Sequence, residues 1–151
     1  GKGSMYEGGL RVPMFAVWPN HIQPGSRSDR VALTMDLFAT CCEAAGVRPP
    51  QAVEGRSLLP TLVGRPQPAE ERTLFFIRRE GGPFRGETIH AALSDPWKLV
   101  QNKPNGPREL FNLASDPQER RDVSREHPQE RRKLCEALDQ QIRRAERVAW
   151  K

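Results

Sequence analysis

Residues 73–113 read TLFFIRREGGPFRGETIHAALSDPWKLVQNKPNGPRELFNL, and this stretch decides the fold. Four strand-length runs lie in it, at residues 73–79, 88–94, 97–101 and 108–113. Between them stand EGGPFRGE, DP and NKPNGP, each rich in residues that turn the chain. Strands in sequence joined by links this short pair antiparallel, since a parallel partner needs a crossover of roughly a dozen residues or more. The expectation is a four-stranded antiparallel meander. Within it, Phe75 and Phe76 read as core.

Toward the C-terminus, LASDPQERRDVSREHP is a polar connection, and Pro128 suits the first turn of a helix. Leu134, Leu138, Ile142, Ala145 and Ala149 then recur at helical spacing and should lie on the sheet. Trp150 is placed to anchor the end of that helix, and His127 to cap its start.

Toward the N-terminus the pattern changes. Residues 48–72 form a proline-rich connection with one apolar turn at residues 58–63, and an organisational boundary falls near residue 70. TMDLFATCCEAAG reads as a helix with Asp36 as N-cap, Leu37, Cys41 and Ala45 on its apolar face, and Gly46 ending it. PMFAVWP is a continuous apolar run between prolines, as expected of a strand at residues 14–18 covered on both faces. Such a strand needs parallel neighbours, and no preceding segment here supplies them. The expected fold class is therefore α/β plus α+β. Residues 1–70 form the end of a larger α/β sheet; residues 71–151 form a small subdomain of meander and C-terminal helix. The uncovered α/β face is a surface through which the chain alone would self-associate.

Composition narrows the function classes. The chain has 151 residues and a net charge of +5. Residues 1–100 carry 12 basic and 10 acidic side chains, and residues 101–151 carry 12 and 9. That mixed surface, without aromatics interleaved among the arginines, argues against nucleic acid. No run approaches the roughly 18 apolar residues that span a bilayer. The 3 cysteines include the adjacent Cys41 and Cys42 and have neither a disulfide framework nor metal-ligand spacing.

The segments GKGSMYEGGLRVPMFAVWPNHI, TMDLFATCCEAAGV, EGRSLLPTLVGR and ELFNLASDPQERRDV together resemble the C-terminal portion of the formylglycine-dependent sulfatases, arylsulfatase-like members of the alkaline-phosphatase-like superfamily. The resemblance runs along nearly the whole chain in the family's order. Its most specific part is a lysine followed by YEGG, an arginine, a proline and a strand ending in Trp-Pro. Asn20 stands where the family usually has glycine, which bears on the local turn.

The resemblance implies a sulfuric ester hydrolase, with Lys2 contacting the sulfate and the modified nucleophile. An ammonium at that place stabilises the negative charge on sulfuryl oxygens. A unit charge pair at about 4 Å is worth roughly 4 kcal/mol at an effective dielectric of 20, before desolvation. It also implies calcium and formylglycine in the full-length enzyme, a sulfated small molecule or saccharide as substrate, and a periplasmic or secreted location. No cysteine here is followed by Pro-x-Arg, and no carboxylate cluster offers the six or more oxygens calcium takes. Nucleophile and metal ligands are thus expected outside this chain, and the chain alone is expected to be inactive.

Further substrate-binding candidates are His21, just past the 14–18 strand, and Arg78 and Arg79, which with Arg85 flank a Gly-Gly turn. Glu7 and Arg11 read as a buried pair holding the loop. Two alternatives stand beside the sulfatase reading. One is a phosphonate or phosphate ester hydrolase of the same superfamily; the other is a non-enzymatic interaction module.

Overall fold

The computed structural model describes residues 3–49, 53–68, 71–79 and 87–146. Lys2, Arg85, Ala149 and Trp150 lie outside them. In chain order the elements are α1 (Glu7–Leu10), α2 (Thr34–Ala44), α3 (Leu59–Leu62), β1 (Leu74–Arg79), β2 (Thr88–Ser94), β3 (Trp97–Gln101), β4 (Glu109–Asn112) and α4 (Pro128–Glu146). They divide into two units, Gly1–Val12 with Glu70–Lys151, and Pro13–Ala69.

In the first unit the strands form one antiparallel sheet in the order β1-β2-β3-β4, the meander expected from the turn signals. Ala91 faces Val100 and Phe76 across the ladder, whereas Ala92 faces Leu99 and Phe75. Alternation along each strand therefore builds two cores. Ala92, Leu99 and Leu110 meet Leu134 and Leu138 of α4, with Phe75 and Ile142 packed alongside. Each leucine so enclosed contributes about 1.5–3 kcal/mol. On the opposite face Ile89, Ala91, Val100 and Phe111 meet Met5 of the N-terminal segment, with Tyr6, Leu10 and Phe76 packed alongside. The sheet is thus covered on one side by α4 and on the other by the segment that contains α1.

Ahead of α4, His127 offers its carbonyl to the Arg131 N–H while its ring lies 4.6 Å from that of Trp97. The polar connection 113–127 is folded by its own carboxylates. Asp116 accepts the N–H groups of Arg120 and Arg121, and Asp122 accepts those of Leu110 and Ser124.

Residues 3–12 belong with the sheet, because Met5 is buried in its core.

In the second unit the helix is present, but its expected polarity is reversed. Asp36 is not the N-cap; it stands at the third helical position and accepts the N–H of Leu33, the actual cap. Asp36, Thr40 and Cys42 are the buried residues, while Leu37 and Cys41 are exposed. The reason is backbone satisfaction. Asp36 Oδ1 accepts the Arg56 N–H at 2.8 Å, and Thr40 Oγ1 accepts the Leu58 N–H at 2.9 Å. The loop before α3 has no ladder partner for these donors, so the polar side of the helix turns inward to supply one. Gly55 fits there because a Cβ would come 2.1 Å from the Met35 carbonyl oxygen.

The run at residues 14–18 joins no ladder among the described residues, and Phe15 and Val17 are 89% and 88% exposed. Asn20 takes φ 67, the left-handed region that glycine would enter freely and asparagine tolerates better than most residues. Its departure from the family pattern therefore leaves the turn intact.

Candidate functional site

The N-terminal segment is fastened to the sheet at successive points. The Met5 N–H donates to Asn102 Oδ1 at 2.7 Å. The Tyr6 hydroxyl donates to a Glu109 carboxylate oxygen, and its ring meets Phe111 edge-on at 5.9 Å. Burial, then the hydrogen bond to Glu109, pushes the Tyr6 hydroxyl up to about 12. The single turn α1 follows, with the Gly9 and Leu10 N–H groups donating to the Tyr6 carbonyl and that of Arg11 to the Glu7 carbonyl.

At the centre of this face is Lys98 of β3, fully buried. Its Nζ lies 2.7 Å from Glu7 Oε1 and 2.8 Å from Glu119 Oε1. The Glu7 backbone N–H also donates to Glu119 Oε2. Glu119 adopts φ 54, an uncommon conformation for a non-glycine residue, while its carboxylate is directed at Lys98. The expected Glu7–Arg11 pair is not formed in this way: Glu7 pairs with Lys98, and Arg11 is exposed.

Beside this network Gly3, Ser4, Gly9, Phe76 and Arg78 line an open recess of about 330 Å3. Gly3 has φ 94, the left-handed region that favours glycine, and the Arg78 guanidinium lies where a Cβ would project, at 2.2 Å. The Ser4 hydroxyl is buried without a polar partner among the described residues. Of the expected site residues, Arg78 therefore lies against the segment next to Lys2, and Arg79, the next residue on β1, is exposed. His21 belongs to the other unit, where its ring stacks on Trp18 at 4.0 Å and its Nδ1 lies 3.2 Å from the Pro19 carbonyl. Lys2 itself lies outside the described residues.

A second polar cluster sits on the α4 side. Arg108 donates to Asp139 Oδ1 at 2.6 Å and to Gln101 Oε1 at 3.3 Å. This pairing lowers the Asp139 carboxyl below its ordinary range and raises Arg108. His90 is buried beside them, and desolvation lowers its imidazole against the opposing hydrogen bond that the ring donates to Gln101. Its Nδ1 has no polar partner among the described residues. Residue reading missed both clusters. For Lys98 a signal was present, since a lysine inside the apolar alternation WKLVQ must find a counter-charge when buried.

Among the described residues no group of three or more histidine, cysteine or acidic side chains can hold a metal ion. The calcium implied by the resemblance does not fit the residues described. No helix among the described residues is long and apolar enough to cross a membrane.

Comparison with known proteins gives one consistent picture. The chain is 40% identical over 95 residues to N-acetylgalactosamine-6-sulfatase of Homo sapiens, a match covering 61% of this chain and 16% of the relative. It is 30% identical over 167 residues to steryl-sulfatase of Mus musculus, covering 92% of this chain and 26% of the relative. The chain therefore spans between about a sixth and a quarter of these relatives. Among solved structures, Ps i-CgsB, known also in complex with k-i-k-neocarrahexaose, superposes with a TM-score of 0.79 at 27% identity, covering 93% of this chain and 30% of that one. The family model described as N-sulphoglucosamine sulphohydrolase, C-terminal, matches residues 1–147. The chain belongs to that sulfatase C-terminal family.

Proposed function

We propose that this chain is the C-terminal part of an enzyme that hydrolyses sulfate esters, and that Lys2 contacts the sulfate and the nucleophile. In this reading residues 1–70 end the α/β catalytic domain and residues 71–151 form its small subdomain. The observation that carries it is the family match through residues 1–147, which includes Lys2 and the YEGGLRVP that follows.

The geometry supports the reading without reaching Lys2. Residues 3–7 are held by Asn102, Glu109, Lys98 and Glu119, so the segment next to Lys2 is anchored on a rigid sheet, as a group acting in a fixed direction requires. Arg78, already against Gly3, supplies a second positive charge for an anionic substrate. A relative named N-acetylgalactosamine-6-sulfatase, and the complex of Ps i-CgsB with k-i-k-neocarrahexaose, favour a sulfated saccharide as substrate. Nucleophile, formylglycine and calcium belong to other parts of the full-length enzyme. Formylglycine would supply the attacking oxygen there; the residues described here bind and orient.

The test is turnover of 4-nitrophenyl sulfate by the full-length protein. Lys2→Ala should lower kcat about 100-fold or more, the cost of removing one charge-stabilising donor. Wild-type turnover in that variant removes Lys2 from the site. Preferential cleavage of a phosphonate monoester would replace the sulfatase reading with the alternative hydrolase.

A further inference from the structure

We propose that Lys98 is a positioning residue: its buried pairing with Glu7 and Glu119 sets where the segment carrying Lys2 lies. The proposal rests on the reading of Lys2 given above.

Three separate parts of the chain converge at this ammonium. Glu7 opens α1, Lys98 lies within β3, and Glu119 lies in the connection after β4. Side-chain exposure is 0% for Lys98, 2% for Glu119 and 18% for Glu7. Enclosing a cation and two carboxylates is a poor way to gain stability, because desolvation offsets much of the attraction. An apolar side chain at position 98 would fill the same core next to Phe111, its ladder partner. What the ionic arrangement adds is direction. The Glu7 carboxylate must meet Nζ, and the Glu7 N–H must meet the second oxygen of Glu119, so both backbone and side chain of Glu7 are held.

From that fixed point the chain runs back with little freedom. Tyr6 is tied to Glu109, Met5 is buried and tied to Asn102, and Gly3 lies against Arg78. Lys2 is one peptide bond from Gly3. Release of Glu7 would loosen this segment at its hinge with α1, and misplacement of a reacting group by about 1 Å costs on the order of 100-fold in rate. The network does not reach the substrate. It acts through Lys2.

The experiment is a double-mutant cycle in the full-length protein, read as kcat and KM on 4-nitrophenyl sulfate with thermal melts confirming the folded state. Lys98→Met should lower kcat at least about tenfold with KM little changed. In a Lys2→Ala background the same substitution should cost almost nothing further, because the group being positioned is gone. Where Lys98→Met does not fold, Glu119→Gln, which keeps the shape but puts an amide NH2 where one carboxylate oxygen faces a donor, replaces it in the same cycle with the same expectation. A folded variant with kcat within about twofold of wild type overturns the proposal, and so do effects of the two substitutions that simply multiply. Both results leave an impaired Lys2→Ala enzyme, and hence the Lys2 reading, intact. An unimpaired Lys2→Ala enzyme overturns both together.

Discussion

Lys98 Nζ and Glu119 Oε1 meet at 2.8 Å with both side chains almost fully enclosed, while Arg121 and Glu126 meet at the same 2.8 Å in the open. Equal distances conceal unequal consequences, because solvent screens the second pair and not the first.

Glu119→Ala should therefore destabilise the chain by about 3 kcal/mol, leaving a buried ammonium with only Glu7 to balance it. Arg121→Ala should cost less than about 1 kcal/mol. Urea unfolding of the two variants provides the comparison. Equal midpoints would show that Lys98 and Glu119 are solvated as a surface pair is.

Alkali should act through Tyr6, the single tyrosine of the chain. Its hydroxyl is raised from 10.0 to about 12, so the folded state favours the protonated phenol. The resulting stabilisation is complete below pH 10 and is lost as pH climbs through about 12. Tyrosinate absorbance should titrate near pH 12 in the folded chain, and Tyr6→Phe should flatten the fall in melting temperature over that interval. A midpoint near 10 would remove Tyr6 from its contact with Glu109.

Acid should act on the opposite side of the sheet. The His90 imidazole is lowered from 6.5 by desolvation, with Arg108 opposing its protonation and Asp139 favouring it. Stability from a neutral His90 is present above pH 6.5 and is lost as pH falls through its lower folded value. Asp139, also lowered, adds a separate loss below 3.8. Imidazole resonances followed by NMR should show His90 titrating below the ordinary 6.5. An unshifted midpoint would show that the ring is solvated.

Phe15 and Val17, 89% and 88% exposed, lead to a prediction about the chain alone. It should self-associate and bind a hydrophobic dye, and Phe15→Ser with Val17→Ser should suppress both. Sedimentation of the unaltered chain as a dye-silent monomer would count against this. The isolated chain should also leave 4-nitrophenyl sulfate uncut.

The meander was legible because its signals are local. The Asp-Pro and Pro-Asn-Gly turns and the Gly-Gly-Pro sequence separate runs whose alternation pairs correctly, and the Leu134–Leu138–Ile142 stripe marks α4 without reference to distant chain. The facing of α2 was not legible. Asp36 read as an N-cap, and only the distant N–H groups of Arg56 and Leu58, which Asp36 and Thr40 accept, explain why these two side chains turn inward. Lys98 and Glu119 stand 21 residues apart in different elements, and no periodicity links them. Lys2 could be singled out only through family resemblance, since one lysine between glycines carries no chemistry of its own.

The sheet unit is drawn from two stretches of chain, Gly1–Val12 and Glu70–Lys151, with Pro13–Ala69 intervening. During synthesis Met5 and Glu7 emerge before β2, β3 and the Glu119 connection that receive them, so both must wait for chain made later before they can dock. In the chain alone, a protease cut in the intervening stretch would leave the segment holding Met5 and Glu7 joined to the sheet by noncovalent contacts only.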